Sequence, residues 1–390
     1  MPFSTQIDSL LTTPPPVMRG FKSMLRPCSD TVLEELARKS ASLTRRHFGR
    51  TMRMFAPLYL SNECVNSCSY CGFSRDNAIL RVTLEIEQVA AEARYLAGEG
   101  FRNLLLVAGE HPKFVSGDYL RRCLERLTQE IPSISLEVAP METADYLPLV
   151  AAGAEGLIVY QETYDRLTYR ELHTAGPKKD YNWRLDSPER AYAAGFRRLG
   201  IGVLFGLSDW RSEATALATH LYHLQRVCWT SHITVSLPRL RPAAGSFEPR
   251  FPFSDRDLTQ LIFALRVTFP QVGIVLSTRE PSFLRDALAP LGVTMMSAGS
   301  HTDPGGYTGQ GGDRLHQTVK GKHVAAIDEG FSATEQFAIS DIRSSAEVAA
   351  MLRGKGLEPV WKDWDNAILG KSGGEKKDRT KHEHPVELAI

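Results

Sequence analysis

The sequence predicts an α/β fold, a (βα)8 barrel of the TIM type. From residue 56 onward, apolar strand-like runs alternate with amphipathic helical runs, which is typical of a parallel sheet covered by helices. Eight strand candidates can be counted, and the 390 residues comfortably exceed the ~250 that such a barrel needs. The candidates are 57–61, 103–109, 135–140, 156–161, 199–206, 232–238, 273–277 and 293–297.

Helices are predicted before the first strand and between the strands. Residues 30–48 have apolar side chains at helical spacing, and 84–97 and 117–131 show the same pattern. We expect Thr83 to cap the helix that follows it, because a threonine hydroxyl can accept from the first free backbone N–H groups. Pro132 is expected to end the helix before it.

The chain divides into four predicted parts. The N-terminal extension is expected to be partly helical, with the Pro-rich and Thr-rich residues 11–17 extended. A charged, Gly-containing tail is expected to be disordered. The parts are an N-terminal extension (1–50), the barrel (51–300), a C-terminal extension packed on the barrel (301–370) and the tail (371–390).

Composition excludes several classes of protein. A net charge of +1 gives no overall field for nucleic acid or an anionic membrane, and no apolar run has the length of a membrane span. The first twenty residues lack the basic-then-apolar plan of a signal peptide. We therefore expect a cytoplasmic protein without nucleic-acid or membrane partners, in which clustered cysteines bind metal or catalyse.

Three of the six cysteines lie close together in "SNECVNSCSYCGFSRDN", as Cys64, Cys68 and Cys71. Three interpretations compete for this C-x3-C-x2-C spacing. A zinc site would need a fourth ligand, and the next histidine, His111, lies beyond a predicted helix. A disulfide with a spare thiol conflicts with the expected reducing compartment. An iron–sulfur cluster on three thiolates fits better and leaves one iron open.

Charged residues follow several predicted strands. In a barrel these positions meet at one rim, where active sites lie. Glu110, Glu162 and Arg279 take such positions. Charged residues also begin many ordinary loops, so each is either a solvated loop charge or part of a site.

The cysteine segment resembles the radical S-adenosylmethionine (SAM) superfamily. Its signature is C-x3-C-x-aromatic-C, and Tyr70 takes the aromatic position. The resemblance implies a radical SAM (βα)8 barrel that holds a [4Fe-4S] cluster on three cysteines. It also implies that SAM binds the open iron through its amino and carboxylate groups.

Segments beyond the cluster resemble one family, ThiH, the tyrosine lyases (2-iminoacetate synthases) of thiamine biosynthesis. The hydrogenase-maturation relatives carry a second cluster on C-terminal cysteines, and this chain has no cysteine after Cys228. A lyase of another aromatic amino acid, such as tryptophan, remains the alternative. Gly299 departs from the family, where a bulkier residue is expected. The matching segments, from about residue 30 to residue 370, are "PLYLSNECVNSCSYCGF", "LLLVAGEH", "VYQETY", "LFGLSDWR", "SLPRLRP", "LSTRE", "PGGY" and "VWKDWD".

The resemblance implies a particular lyase chemistry. SAM is cleaved reductively to methionine and a 5′-deoxyadenosyl radical, which takes a hydrogen atom from L-tyrosine and ends as 5′-deoxyadenosine. Cleavage of the Cα–Cβ bond gives 2-iminoacetate (dehydroglycine) and p-cresol. The implied partners are the thiazole synthase ThiG, which consumes the imine, and an electron donor such as flavodoxin.

The resemblance also implies roles for single residues. Arg279 is expected to bind the tyrosine carboxylate, since a guanidinium is a rigid bidentate donor. Arg279 and Ser297 are the catalytic candidates, and Tyr307 is expected to line the same substrate pocket. Glu137, within a predicted strand, could reach the ribose hydroxyls of SAM, or it could form an outward salt bridge. The cofactor-binding candidates are Tyr70, Gly72, Phe73, Gly109, Glu110, Glu137, Glu162 and Arg184, and the cluster ligands are Cys64, Cys68 and Cys71.

Overall fold

The computed structural model of the chain describes residues 2–324 and 332–361. Its strands, numbered along the chain, are β1 (Thr51–Ser61), β2 (Ser67–Cys68), β3 (Ile79–Arg81), β4 (Asn103–Ala108), β5 (Ser133–Glu137), β6 (Ala154–Glu162), β7 (His173–Ala175), β8 (Arg198–Val203), β9 (His232–Ser236), β10 (Gly273–Leu276), β11 (Met295–Ser297), β12 (His316–Val319), β13 (Lys322–Val324) and β14 (Glu358–Val360).

Helices separate most of these strands. They are α1 (Ile7–Thr12), α2 (Pro16–Met24), α3 (Asp30–Phe48), α4 (Ile86–Gly98), α5 (Gly117–Leu127), α6 (Thr143–Ala151), α7 (Arg166–Leu172), α8 (Tyr181–Leu185), α9 (Ser187–Ala194), α10 (Trp210–Val227), α11 (Asp255–Thr268), α12 (Ser282–Leu288) and α13 (Ser345–Gly354). Among the described helices, none is both long and apolar enough to cross a membrane.

Eight parallel strands close into a barrel, so the predicted fold class is confirmed. Their order is β1-β4-β5-β6-β8-β9-β10-β11, and β11 pairs again with β1, where Met295 lies opposite Arg53. Each predicted strand corresponds to one barrel strand. The strands could be recognised as continuous apolar runs in the sequence because they are buried on both faces. All residues of β8, for example, are buried.

The N-terminal segment is helical where extended chain was expected. Helices α1 and α2 include most of residues 11–17, and Pro16 begins α2, a position where its missing N–H costs nothing. Helix α2 packs on α10 and α11, and α3 packs along α11. The segment therefore covers the outside of the barrel.

Two helix ends differ from the predictions. Helix α4 is capped by Glu85, whose carboxylate forms a capping box with Gln88. Thr83 is not the cap, because its hydroxyl pairs with that of Ser61 at 2.7 Å. Helix α5 ends at Leu127, well before Pro132.

The C-terminal segment pairs with the rest of the chain at two places, of which one is a barrel strand. Strand β14 pairs with the first residues of β1, and β12 pairs with β3 beside the cysteine segment. The predicted disordered tail (371–390) and most of "VWKDWD" lie outside the described residues.

Candidate active site

The three clustered cysteines lie together at the carboxyl ends of the barrel strands. Cys64, Cys68 and Cys71 line one cavity, and all three are free thiols. The opposite walls come from the ends of β4, β5 and β6. The walls include the predicted residues Phe73, Gly109, Glu110, Glu137, Glu162 and Arg184.

The cysteine loop is held by hydrogen bonds to its own backbone. The buried guanidinium of Arg81 donates to the carbonyl oxygens of Asn62, Phe73 (3.1 Å) and Ser74 (2.8 Å). The amide of Asn77 donates to the carbonyls of Cys71 and Gly72, at 3.0 Å each. Both ends of the loop are thereby fixed without using a cysteine sulfur.

The donor set fits an iron–sulfur cluster better than a single metal ion. No group of three His, Cys, Asp or Glu in the described part of the chain could hold one ion. A cluster has no such requirement, since each thiolate binds a different iron. Burial raises the pKa of the Cys68 and Cys71 thiols, while nearby Lys178 opposes the rise. The positive charge of Lys178 would therefore favour the thiolates that a cluster needs.

Gly109 lets the end of β4 approach the cysteine loop. A Cβ atom on Gly109 would lie 2.3 Å from the Glu63 carbonyl oxygen and 3.3 Å from the Cys64 Cβ. The next residue, Glu110, accepts a hydrogen bond from the Asn66 amide at 2.6 Å. The carboxylate of Glu110 is thus fixed at the cavity wall.

Glu162 forms the charged end of the same cavity. Lys178 Nζ lies 2.7 Å from its carboxylate and an Arg184 amino nitrogen lies 3.5 Å away. Burial alone would raise the pKa of Glu162, but the two cations outweigh it and lower the pKa. Glu162 also has a φ of 70°, a strained value for a residue with a side chain. The network therefore contains an ionised carboxylate with two partly buried cations.

A second cavity adjoins the first. Both are lined by Val107, Glu137 and Tyr160, so these three side chains separate the two spaces. Apolar side chains from several barrel strands form much of the second wall. Arg279 and Ser297 line it too.

Arg279 enters the second cavity without an acidic partner. Its guanidinium carbon lies 3.2 Å from the centre of the Phe337 ring, and one amino nitrogen reaches the Arg239 carbonyl at 3.5 Å. The neighbouring Glu280 is paired with Arg239 and Arg241 instead. Among the described residues, none supplies a carboxylate to Arg279 within ion-pair distance.

Some predicted residues lie elsewhere. Tyr307 does not share the pocket of Arg279, because its hydroxyl donates to the Pro57 carbonyl at 2.6 Å and its ring lines a separate cavity. Gly299 lines that separate cavity as well, with a φ of 54°, so it leaves the pocket of Arg279 unchanged. Tyr70 is packed beneath the cysteine loop, where its hydroxyl pairs with His173 at 2.8 Å.

Several lining residues were not selected from the sequence. Phe55, Pro57 and Tyr59 alternate along β1 and face the second cavity, so the period of two in that strand is a signal that could have found them. Lys178 and Gln336 also line the cysteine cavity. Lys178 lies in a single 3-10 turn (Pro177–Lys179) and Gln336 lies in a loop, and neither stretch is long enough for a periodic pattern, so no local signal identified them.

The barrel and the three-cysteine cavity define a radical SAM enzyme. Residues 58–217 match the model of the Radical SAM superfamily, and residues 236–358 match that of the Biotin and Thiamin Synthesis associated domain. Enzymes of this class use a [4Fe-4S] cluster and SAM, which agrees with the expected cofactors.

Two curated relatives identify the family. The chain is 42% identical to the 2-iminoacetate synthase of Escherichia coli (strain K12), covering 90% of this chain and 88% of the relative. It is 40% identical to that of Salmonella typhimurium, with coverages of 88% and 86%. The chain therefore belongs to the 2-iminoacetate synthase family, and the expected resemblance is confirmed.

A solved structure supports the same arrangement. The FeFe-hydrogenase maturase HydG from Carboxydothermus hydrogenoformans is 32% identical, with a TM-score of 0.77, covering 92% of this chain and 80% of that chain. Methylornithine synthase, at 22% identity and a TM-score of 0.66, shares the fold.

Proposed function

We propose that this enzyme cleaves the Cα–Cβ bond of L-tyrosine, giving 2-iminoacetate and p-cresol for the thiazole half of thiamine. The observation that carries the proposal is the pairing of two adjoining cavities. One is lined by the three cysteines. The other is lined by Arg279, whose guanidinium has no carboxylate partner among the described residues. A zwitterionic amino acid with an apolar ring fits the second cavity.

The first cavity has residues suited to the cluster and to SAM. Cys64, Cys68 and Cys71 would hold the cluster, and Glu110 would pair with the SAM ammonium. Lys178 and Arg184 offer donors to its carboxylate, while Glu162 keeps both cations in place. When bound, the cluster and SAM supply the one-electron chemistry that removes a hydrogen atom from the substrate.

The second cavity would bind and orient the tyrosine. Arg279 can give two parallel hydrogen bonds to a carboxylate, and Phe337 stacked on its face fixes the plane of the fork. The hydroxyl of Ser297 lies in the same cavity wall. It accepts a hydrogen bond from the Thr278 N–H at 3.2 Å and can donate one to the substrate. Apolar lining from Phe55, Leu105 and other strand residues suits the phenol ring.

The partners and the compartment follow from the same proposal. The imine hydrolyses in water, so a thiazole synthase such as ThiG would have to take it directly. A flavodoxin-type donor would supply the electron. The described cysteines are all free thiols, and we place the enzyme in the reducing cytoplasm, where a thiolate-bound cluster persists.

The test is an anaerobic assay of the reconstituted enzyme with SAM, dithionite and L-tyrosine. We expect p-cresol and glyoxylate, the hydrolysis product of 2-iminoacetate, together with 5′-deoxyadenosine. L-Tryptophan is the comparison substrate. Deoxyadenosine that forms with tryptophan, and no p-cresol with tyrosine, would overturn the tyrosine assignment.

A further inference from the structure

Glu137 is a carboxylate between the two cavities with no partner of its own. It is the last residue of β5 and lines both spaces, so it points into the barrel and forms no outward salt bridge. Among the described residues, none donates a hydrogen bond to it or lies within ion-pair distance. A largely enclosed acid without a partner is either protonated or available to bind a cationic ligand.

The cations around Glu137 either form ion pairs with Glu162 or lie beyond ion-pair distance of Glu137. Arg279 is the cation on the substrate side. Lys178 and Arg184 are on the cofactor side and are paired with Glu162. The charged and titratable groups that face Glu137 from the packed elements are Arg279, Lys178, Arg184, Glu162, Tyr59 and Tyr160.

Glu280, the other acidic residue of the second cavity, forms ion pairs with Arg239 and Arg241. Glu137 is therefore the acidic residue of that cavity, within the described chain, whose charge is left for a ligand. A ligand cation bound there would lie between the two cavities.

An α-amino acid brings such a cation. When Arg279 binds the substrate carboxylate, the ammonium group one carbon away must also leave water, and it needs an acceptor. The reaction makes a further demand on this nitrogen. It carries three hydrogens as an ammonium and one in 2-iminoacetate, so one of the two hydrogens it loses can leave as a proton.

We propose that Glu137 receives the ammonium of the bound amino acid and takes one proton from it before the bond cleavage. The N–H bond breaks, its electron pair stays on nitrogen, and an O–H bond forms on the carboxylate. The products of the step are a neutral amine and a neutral carboxylic acid, and no oxidant or reductant is needed. This proposal rests on the proposed function, because it uses the amino acid held by Arg279.

The loss of hydration and the burial of Glu137 both favour the proton transfer. An ion pair in a dry cavity loses more hydration than it regains by attraction, whereas the neutral pair keeps one hydrogen bond without that cost. In addition, burial raises the pKa of Glu137 to about 7, although Arg279 acts in the opposite direction. A carboxylate with this pKa is a much better proton acceptor than an exposed glutamate.

The experiment compares wild type with Glu137→Gln, which keeps the shape and hydrogen bonding but takes no proton. We expect p-cresol formation at pH 7 to fall about 100-fold or more. The rate of the variant should rise about tenfold per pH unit between pH 7 and 9, as the free amine becomes available, while wild type stays nearly flat. Glu87→Gln, on the exposed face of α4, is the control and should match wild type.

A binding measurement separates this role from support of the cofactor. Calorimetric titration of tyrosine into the oxidised holoenzyme with SAM, in two buffers of different ionisation heat, reports the protons exchanged. We expect this proton exchange to differ between wild type and Glu137→Gln, with iron content and SAM affinity unchanged.

Three results would overturn the proposal. One is a wild-type rate and pH profile for Glu137→Gln. Another is a tenfold or greater loss of SAM affinity with unchanged tyrosine binding, which would make Glu137 a ligand of the SAM ribose. The third is a wild-type enzyme that forms no p-cresol, which also ends the proposed function. A failure of the proposed function is distinguished from a failure of the Glu137 proposal because the wild-type enzyme itself then forms no p-cresol.

Discussion

At the scale of single residues, the position of Arg279 is the clearest indication of function. Arginines inside a protein are normally paired, and Arg81, Arg266 and Arg285 each bind backbone carbonyl oxygens. Arg279 has an aromatic ring and one distant carbonyl instead. Its unused donors are therefore available to a ligand carboxylate.

Replacing Arg279 by lysine tests this interpretation. A lysine keeps the charge but loses the second parallel hydrogen bond, so we expect the KM for tyrosine to rise about 10- to 100-fold. Iron content and SAM affinity should stay at wild-type values. Arg256→Lys, in an exposed ion pair with Asp30, is the matched control. An unchanged KM and kcat in Arg279→Lys would contradict the assignment.

Gly109 gives a second test at this scale. A Cβ would lie 2.3 Å from the backbone oxygen of Glu63, so Gly109→Ala has to push β4 and the cysteine loop apart. We expect a fall in iron per chain and in SAM affinity, measured on the reconstituted protein. Gly117→Ala, where a Cβ meets nothing within 4 Å, should retain both. Equal iron content in the two variants would show that the close approach is dispensable.

At the scale of elements, the cysteine loop depends on β3 as well as on its own Asn77. Arg81, the last residue of β3, donates to carbonyl oxygens on both sides of the three cysteines, and its Nε donates to Thr318 of β12 at 2.7 Å. Strand β12 of the C-terminal segment therefore supports the cysteine loop through one guanidinium.

Substitution of Arg81 by lysine should loosen this loop. One ammonium cannot reach all of these acceptors, and an under-bonded buried charge costs about 3 kcal/mol. We expect a lower midpoint of thermal unfolding and faster loss of iron to a chelator. Arg75→Lys, exposed in the same segment, is the control. Wild-type resistance to the chelator in Arg81→Lys would count against this role.

At the scale of the whole molecule, the N-terminal segment helps to stabilise the barrel. Phe3 is fully buried and stacks on His220 of α10, with ring centres 4.3 Å apart. Burial lowers the pKa of His220 to about 3, and that of His232 to about 4. Both histidines are therefore neutral in the folded protein at mildly acidic pH.

This arrangement predicts acid sensitivity. Below pH ~6.5 the unfolded chain binds protons at these histidines and the folded chain does not, so stability falls as the pH drops toward the folded pKa values. Each histidine should cost about 2 kcal/mol between pH 6.5 and pH 5. His220→Asn should show a smaller loss in thermal unfolding over this range, whereas the exposed control His47→Asn should match wild type. An equal loss in both variants would refute the role of His220.

The barrel and the cysteine motif could be predicted from the amino-acid sequence alone. Both are local patterns, since a buried strand must be apolar along its length and cluster ligands on one loop must keep a fixed spacing. Local patterns decided less at the N-terminus, where tertiary packing on α10 and α11 turns the Pro-rich stretch into helix. The family resemblance placed Tyr307 in the pocket of Arg279, whereas its hydroxyl donates to the carbonyl of Pro57 on β1.

The roles open to the charged residues depend on how the folded chain pairs them. Glu162 is neutralised by Lys178, and Glu280 by Arg239 and Arg241, whereas Arg279 and Glu137 are left for ligands. Nothing in the sequence distinguishes these cases, because each pairing depends on which loops meet above the barrel. Tyr59 and Gln336, which meet at 2.7 Å, are 277 positions apart. Closure of the barrel brings such groups together, and the groups it leaves unpaired define the site.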